Sequence, residues 1–230
     1  MQTHLDSLSE WCHDSDMKLK QEKCNLMQIS FLRQTPPPVQ PIIDDAPLEI
    51  VTSLKLLSIT IQNDLKWDTQ VKHMVSKASR RLFILCKLKK NGVKADDLVL
   101  IYKMYIRPLL EFGTPVWSSS LTNNQSNDLE RVQKRALRMI TYPSSDHYND
   151  LLRTYDLDSL EDRRILILTR FAKSLLVSTR HRHLLPQTRN ALSGRNLRNA
   201  QQLHIPLTRT QRYKQSTIPF AVRLLNSLTG

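Results

Sequence analysis

Glycine, cysteine and long apolar runs are all scarce here, and each scarcity removes a class of protein. Only 4 of the 230 residues are glycine, too few for a many-turned β architecture, whose tight hairpins lean on that residue. The cysteines, Cys12, Cys24 and Cys86, are odd in number and lack Cys-x-x-Cys spacing. Neither a disulfide framework nor a zinc knuckle is suggested, and all three read as small buried hydrophobes. No apolar stretch approaches bilayer length, and the start MQTHLDSLSEWC lacks a basic-then-apolar leader pattern. The expectation is a soluble intracellular protein with no membrane partner. Gly-rich phosphate loops and Ser/His/Asp sets are also missing, so no cofactor is expected.

A further absence is positional. After Asp162 there is no Asp or Glu, yet 13 Lys and Arg follow, from Arg163 and Arg164 to Arg223. Residues 1–70 hold 6 basic and 10 acidic side chains, net −4, whereas residues 71–230 hold 28 and 11, net +17. A surface so short of carboxylates repels itself unless an anion lies against it, and nucleic-acid phosphate is the commonest such partner. For the last forty residues, polar and weakly periodic, a partly irregular basic tail is the alternative reading.

What is present has two periods. Leu5, Leu8 and Cys12 recur at helical spacing from Thr3 to His13, predicting a short amphipathic helix. Met27, Ile29 and Phe31 then alternate as in a half-buried strand, with further extended pieces expected around Ile42, around Ile50 and in LLSITI, where Leu57, Ile59 and Ile61 share a face. From Asp68 the period becomes about 3.6. Val71, Met74, Val75, Ala78, Leu82, Leu85 and Leu88 form one stripe, which Asp68 caps and Asn91-Gly92 closes. A second helix is expected from Asp96, with Leu98, Ile101, Tyr105 and Leu109 inward and Pro108 kinking or ending it. A third follows the capping-box spacing Thr122 to Gln125 and buries Leu129, Val132, Ala136, Met139 and Ile140, with Glu130 and Lys134 as an i,i+4 pair. A fourth starts after Ser159, with Asp162 three residues on. The fold class is therefore mainly α with a small antiparallel β ribbon near the N-terminus. The expected organisation is residues 1–67 as helix plus ribbon, 68–178 as a helical bundle, and 179–230 as a basic, partly irregular extension.

Three segments, SLKLLSITIQNDLKWDTQVKHMVSKASRRLFIL, LVLIYKMYIRPLLEFGTPVW and LERVQKRALRMITYP, in that order and spacing, resemble the part of non-LTR (LINE-type) retrotransposon reverse transcriptases that follows the polymerase active site. The N-terminal HLDSLSEWCHDSDMKLKQEKCNLMQISF resembles the family's motif D region. The resemblance implies that Lys23 takes the place of the lysine near the incoming nucleotide. The chain departs from the family pattern at Lys20, where an Asn is usual, and at Ser58, where the Leu-Gly-Ile-Thr turn has Gly. The later segments resemble the region after the primer-grip hairpin and the thumb, which holds template–primer by its backbone.

Polymerisation needs two metal-bound carboxylates, supplied in this family by one isolated Asp and an aromatic-x-Asp-Asp turn. No aromatic-x-Asp-Asp occurs here. Asp44-Asp45 follows the motif D-like segment instead of preceding it and reads as a solvated turn. No catalytic or metal-binding residue is therefore assigned. For RNA or RNA–DNA hybrid binding the candidates are Lys77, Arg80, Arg81, Lys87, Lys89 and Lys90 on the first long helix. Arg131, Lys134, Arg135 and Arg138 on the third and Arg163 and Arg164 on the fourth complete the set. Each is equally readable as part of an ordinary solvated face. A second class of function is a helical scaffold whose basic faces bind an acidic protein. A third is a module associated with alkylation-repair (AlkB-type) 2-oxoglutarate oxygenase homologues, which the region from Leu54 to Trp117 resembles and whose His-x-Asp iron pair His4-Leu-Asp6 matches, although that chemistry needs a facial triad in a jelly roll.

Overall fold

The computed structural model describes residues 2–34, 36–37, 39–43, 46–144, 146–193 and 199–228. The Asp44-Asp45 pair and part of the basic tail, Gly194 to Arg198, lie outside the described residues. The fold is mainly α with small sheets, and the chain divides into two compact units, Met1–Gln70 and Val71–Gly230.

The first unit holds α1 (Gln2–Asp14), β1 (Asn25–Leu26), β2 (Ile42–Ile43), β3 (Ala46–Pro47), β4 (Glu49–Ile50), β5 (Ser53–Leu56) and β6 (Ile59–Gln62). β2 pairs with β3 and β5 with β6, both antiparallel, while β1 pairs with β4 in parallel. Gln2 fastens α1 to β2 through both ends of its amide: Nε2 donates to the Ile42 carbonyl at 2.8 Å, and Oε1 accepts from the Ile42 N–H at 3.0 Å. The strand expected through Met27, Ile29 and Phe31 stops at Leu26, and Ile29 and Phe31 stay exposed. A strand needs a neighbour to take its backbone N–H and C=O groups, and β4 offers only two residues. Leu57 does not share a strand face with Ile59 and Ile61, because Leu57 and Ser58 form the tip between β5 and β6. Both have left-handed backbones, φ 46° and 69°, the two-residue turn that suits hairpin twist.

The second unit contains most of α2 (Asp68–Lys90), then α3 (Ala95–Ile101), α4 (Arg107–Glu111), α5 (Thr114–Trp117), α6 (Asn123–Thr141), α7 (Tyr148–Thr154), α8 (Leu160–Val177), α9 (Arg189–Ser193), α10 (Gln211–Lys214) and α11 (Thr217–Leu228). α2 buries Val71, Met74, Ala78, Leu82 and Leu85. It ends at Gly92, φ 80°, where Gly92 N–H donates to the Lys89 carbonyl and Val93 N–H to that of Leu88, the paired bonds of a Schellman close. Gly92 can adopt that backbone because it has no Cβ.

The helical segment from Ala95 to Glu111 differs from expectation. Its inward set is Leu98, Tyr102, Ile106 and Leu110, not Leu98, Ile101, Tyr105 and Leu109, and Tyr105 is exposed. Residues Tyr102–Ile106 form a π-helical turn between α3 and α4. In an α-helix each four-residue step overshoots a full turn by about 40°. A wider turn absorbs that drift and keeps four residues spaced by four on one face. Pro108 does not end the segment: the helix continues through it to Glu111, directly after the π-helical turn, a widened turn being a place where the regular hydrogen-bond ladder is already interrupted.

The expected N-caps of α6 and α8 are present, while Asp68 stands as the first residue of α2 itself. The Thr122 hydroxyl accepts from Gln125 N–H while Gln125 Oε1 accepts from Thr122 N–H, and Ser159 Oγ accepts from Asp162 N–H at 3.1 Å. α6 buries Leu129, Val132, Ala136 and Ile140, together with Gln133 and Leu137. Trp117 is fully buried, and its Nε1 donates to the Phe112 carbonyl. Residues beyond Ser178 share the second unit's core: Leu185, Leu203, Ala221, Val222 and Leu225 cluster with Ala172 and Leu175 of α8. Burying side chains the size of Val222 and Leu225 contributes about 1.5–3 kcal/mol each. The Asn226 amide adds a two-way bond to the Leu203 backbone, 2.9 Å in each direction.

Candidate nucleic-acid interface

α2 places its two chemistries on opposite sides. With the 71/74/78/82/85 stripe buried, the outward side carries Lys77, Arg80, Phe83, Ile84, Lys87 and Lys90. From Lys77 to Lys90 this stripe runs about 20 Å along the helix. Phe83 lies in its middle, 61% exposed, with Lys87 Nζ 5.2 Å from its ring centre. Neither Phe83 nor Ile84 is among the candidates that charge alone picks out. Their position off the 82/85 stripe is the signal in the sequence that could have found them.

Two candidates on α2 are engaged within the fold. Arg81 lies half-buried over the Tyr105 ring, 4.0 Å from its centre, and its Nη1 donates to the Tyr105 carbonyl at 3.0 Å. Lys89 Nζ donates to the carbonyls of Met139 at 2.9 Å and Ile140 at 2.8 Å, and also to that of Tyr142. It thus satisfies the orphan carbonyls at the end of α6, and a cation there also favours the helix dipole. The C-terminal ends of α2 and α6 meet at this lysine.

On α6, Lys134, Arg135 and Arg138 are exposed, with Lys134 Nζ 5.0 Å from the Tyr148 ring centre. Arg131 is exposed but paired with Asp128 at 2.8 Å. Glu130 turns from Lys134 toward the interior, where it accepts from the Tyr148 hydroxyl and from the Leu160 N–H at 3.1 Å. A carboxylate at the start of α8 is favoured by that helix's dipole, which outweighs the few tenths of a kcal/mol of an exposed i,i+4 pair. Burial, followed by the bond to Glu130, pushes the Tyr148 hydroxyl far above its ordinary pKa.

On α8 the arginine pair is drawn inward. Arg163 forms a two-pronged ion pair with Glu111, which holds its guanidinium pKa above the ordinary value. Arg164 is only 5% exposed and donates from Nη2 to Ser126 Oγ at 2.5 Å, while burial lowers its pKa. Neither presents a free cation to a duplex. Another lysine outside the candidate set, Lys103, donates to the carbonyls of Tyr155 at 3.2 Å and Asp156 at 3.3 Å beyond α7.

In the first unit, Lys23 ends a short 3-10 turn, Gln21–Lys23, and is exposed. His4 and Asp6 lie on α1, and Asp6 accepts from Gln2 Nε2 at 2.8 Å. Among the described residues no three His, Cys, Asp or Glu side chains stand together as metal ligands would. No described helix is long and apolar enough to cross a membrane.

The candidates that remain exposed are therefore Lys77, Arg80, Lys87 and Lys90 on α2 and Lys134, Arg135 and Arg138 on α6. A nucleic-acid duplex carries one negative charge per about 1.7 Å of axis, so a cationic stripe of this length meets a phosphate wherever it lands.

No family profile and no solved structure matches the chain. It is similar to a probable RNA-directed DNA polymerase from the transposon X-element of Drosophila melanogaster, 22% identical over 137 residues. The match covers 58% of this chain and 14% of the fly protein, so the chain spans a small part of that protein's length. That similarity supports a reverse-transcriptase-related, retroelement-derived origin for the chain.

Proposed function

We propose that the chain is the C-terminal part of a LINE-type reverse transcriptase: the end of the palm, the thumb and the basic extension. In this reading it carries no catalytic centre and holds RNA or an RNA–DNA hybrid by the sugar-phosphate backbone, without reading sequence. The outward side of α2 carries the proposal, because Lys77, Arg80, Lys87 and Lys90 share it with the uncovered ring of Phe83. Cations neutralise phosphate, and an exposed ring offers a surface on which an unpaired base can stack. Support for a nucleic-acid partner comes from the similarity to a transposon polymerase. The lack of any aromatic-x-Asp-Asp supports a holding role and an expected absence of polymerase activity.

The test is a binding titration of the full chain with an RNA–DNA hybrid over a range of salt. Affinity should fall linearly in log–log form, and Lys77→Glu/Arg80→Glu/Lys87→Glu should weaken it at least tenfold. The salt slope should flatten by about 0.9 for each phosphate no longer neutralised. Unchanged affinity in the triple variant would defeat the proposal.

An acidic protein partner is the second reading, favoured by Phe83 and Ile84 standing exposed among the lysines. A polyanion without bases separates the two: binding as tight as that of the hybrid counts against a thumb-like role.

A further inference from the structure

In the second unit, the segment Ser118–Ser119, the capped start of α6 and the first turns of α8 enclose a cleft of about 460 Å³. Three polar atoms of residues lining it are buried without a hydrogen-bond partner: Ser118 Oγ, Ser119 Oγ and Arg164 Nη1. Arg164 is 95% buried, with 5% of its surface exposed. Nη2 is held by Ser126 Oγ, so the guanidinium is anchored on one side and unanswered on the other. A buried donor on a cation is costly without an acceptor, and the hydroxyls of two cleft-lining serines are in the same state.

The helix start adds to this. The capping box uses the N–H groups of Thr122 and Gln125, leaving those of Asn123 and Asn124 without an intrahelical acceptor. Positive partial charge is therefore concentrated at this end of α6. The cleft is many times the roughly 30 Å³ share of one water molecule, and a tetrahedral oxyanion fits it with part of its hydration.

We propose that this cleft binds a phosphate-class oxyanion, bonded by Arg164 Nη1 and the Ser118 and Ser119 hydroxyls at the N-terminal end of α6. All three atoms are inaccessible to solvent as they stand, so binding requires the hydroxyls and the guanidinium to rotate toward the cleft. Glu161 also lines the cleft, and with Glu130 and Glu111 it acts electrostatically on the Arg164 guanidinium, so the anion binds against part of their negative charge. The oxyanion comes either from free phosphate or from the terminal phosphate of a nucleic acid. The site does not depend on the outward stripe of α2.

The experiment is calorimetric titration of inorganic phosphate into the full chain at fixed chloride. Saturable single-site binding is expected, at least tenfold weaker in Ser118→Ala/Ser119→Ala and in Arg164→Lys, and tighter in Glu161→Gln. The serine variant keeps the arginine, so it remains informative if Arg164→Lys does not fold by circular dichroism. Oligonucleotides with and without a 5′-phosphate identify the source. A preference for the phosphorylated strand assigns the site to a nucleic-acid end, and equal affinity with phosphate binding intact assigns it to the free anion. The Lys77→Glu/Arg80→Glu/Lys87→Glu variant should keep its phosphate site, so failure of the α2 reading is seen separately. Absence of saturable phosphate binding, or binding undiminished in the serine variant, overturns the inference.

Discussion

The Tyr102 hydroxyl donates to Gln133 Oε1 at 2.6 Å, joining the π-helical turn to α6 where both side chains are fully buried. The other end of the same amide is also used: Gln133 Nε2 donates to the Tyr148 hydroxyl and to the Asp158 carbonyl, 2.9 Å each. One glutamine thus connects four segments of the second unit. Replacing it with leucine leaves the Tyr102 hydroxyl and the Asp158 carbonyl without their partner. Each buried group so orphaned costs about 1–3 kcal/mol. Gln133→Leu should therefore destabilise by about 2–6 kcal/mol in denaturant unfolding, and Tyr102→Phe by less, because it removes only one bond. Equal effects would mean that the amide's second end contributes nothing.

Alkali should weaken the same network. Burial raises the pKa of Tyr102 and of Tyr148 in the folded state. Above the ordinary tyrosine value of about 10, the unfolded chain releases these protons while the folded chain retains them. The unfolded state then binds fewer protons, so stability falls as pH rises. The contribution is complete below about pH 10 and is lost progressively above it. Unfolding titrations from pH 9 to 11 should show a shallower decline in Tyr148→Phe than in the parent chain.

Ser58 holds φ 69° at the position where glycine is usual in the resembling family. A left-handed backbone costs an L-residue about 1–2 kcal/mol, partly offset by the greater unfolded-state freedom of glycine. Ser58→Gly should stabilise the β5–β6 hairpin by about 0.5–1 kcal/mol. Hydrogen exchange at its paired backbone amides should slow accordingly, and faster exchange would contradict the turn geometry.

Lys89 and Lys90 are adjacent, but their substitutions should read out differently. Lys89 binds the carbonyls that end α6, whereas Lys90 is exposed. Lys89→Ala should lower stability by about 1.5–3 kcal/mol, the range for charged hydrogen bonds. Lys90→Ala should leave stability within about 0.5 kcal/mol and weaken hybrid binding. Thermal unfolding and the salt titration, run side by side, check both.

Local signals in the sequence located α1, α2, α6 and α8, but not α7 or α11. Thr122 with Gln125, Ser159 with Asp162, and Gly92 each act within one turn of their own position, so spacing alone reveals them. The inward side of Ala95–Glu111 was not legible, because the π-helical turn is fixed by what packs against Tyr102 and Ile106, not by their neighbours in sequence. The candidate surface was half legible for a related reason. Counting charges finds Lys77, Arg80 and Lys87, but Arg163 and Arg164 look the same in composition. Only the tertiary placement of Glu111 and Ser126 draws those two inward.

The seating of α11 on α8 limits how the arginine-rich end can be studied. Cutting the chain at Ser178 to remove its charge would also uncover Ala172 and Leu175, trading a question about electrostatics for a sticky, half-built protein. The positive charge has to be taken away one side chain at a time, with the polypeptide left whole.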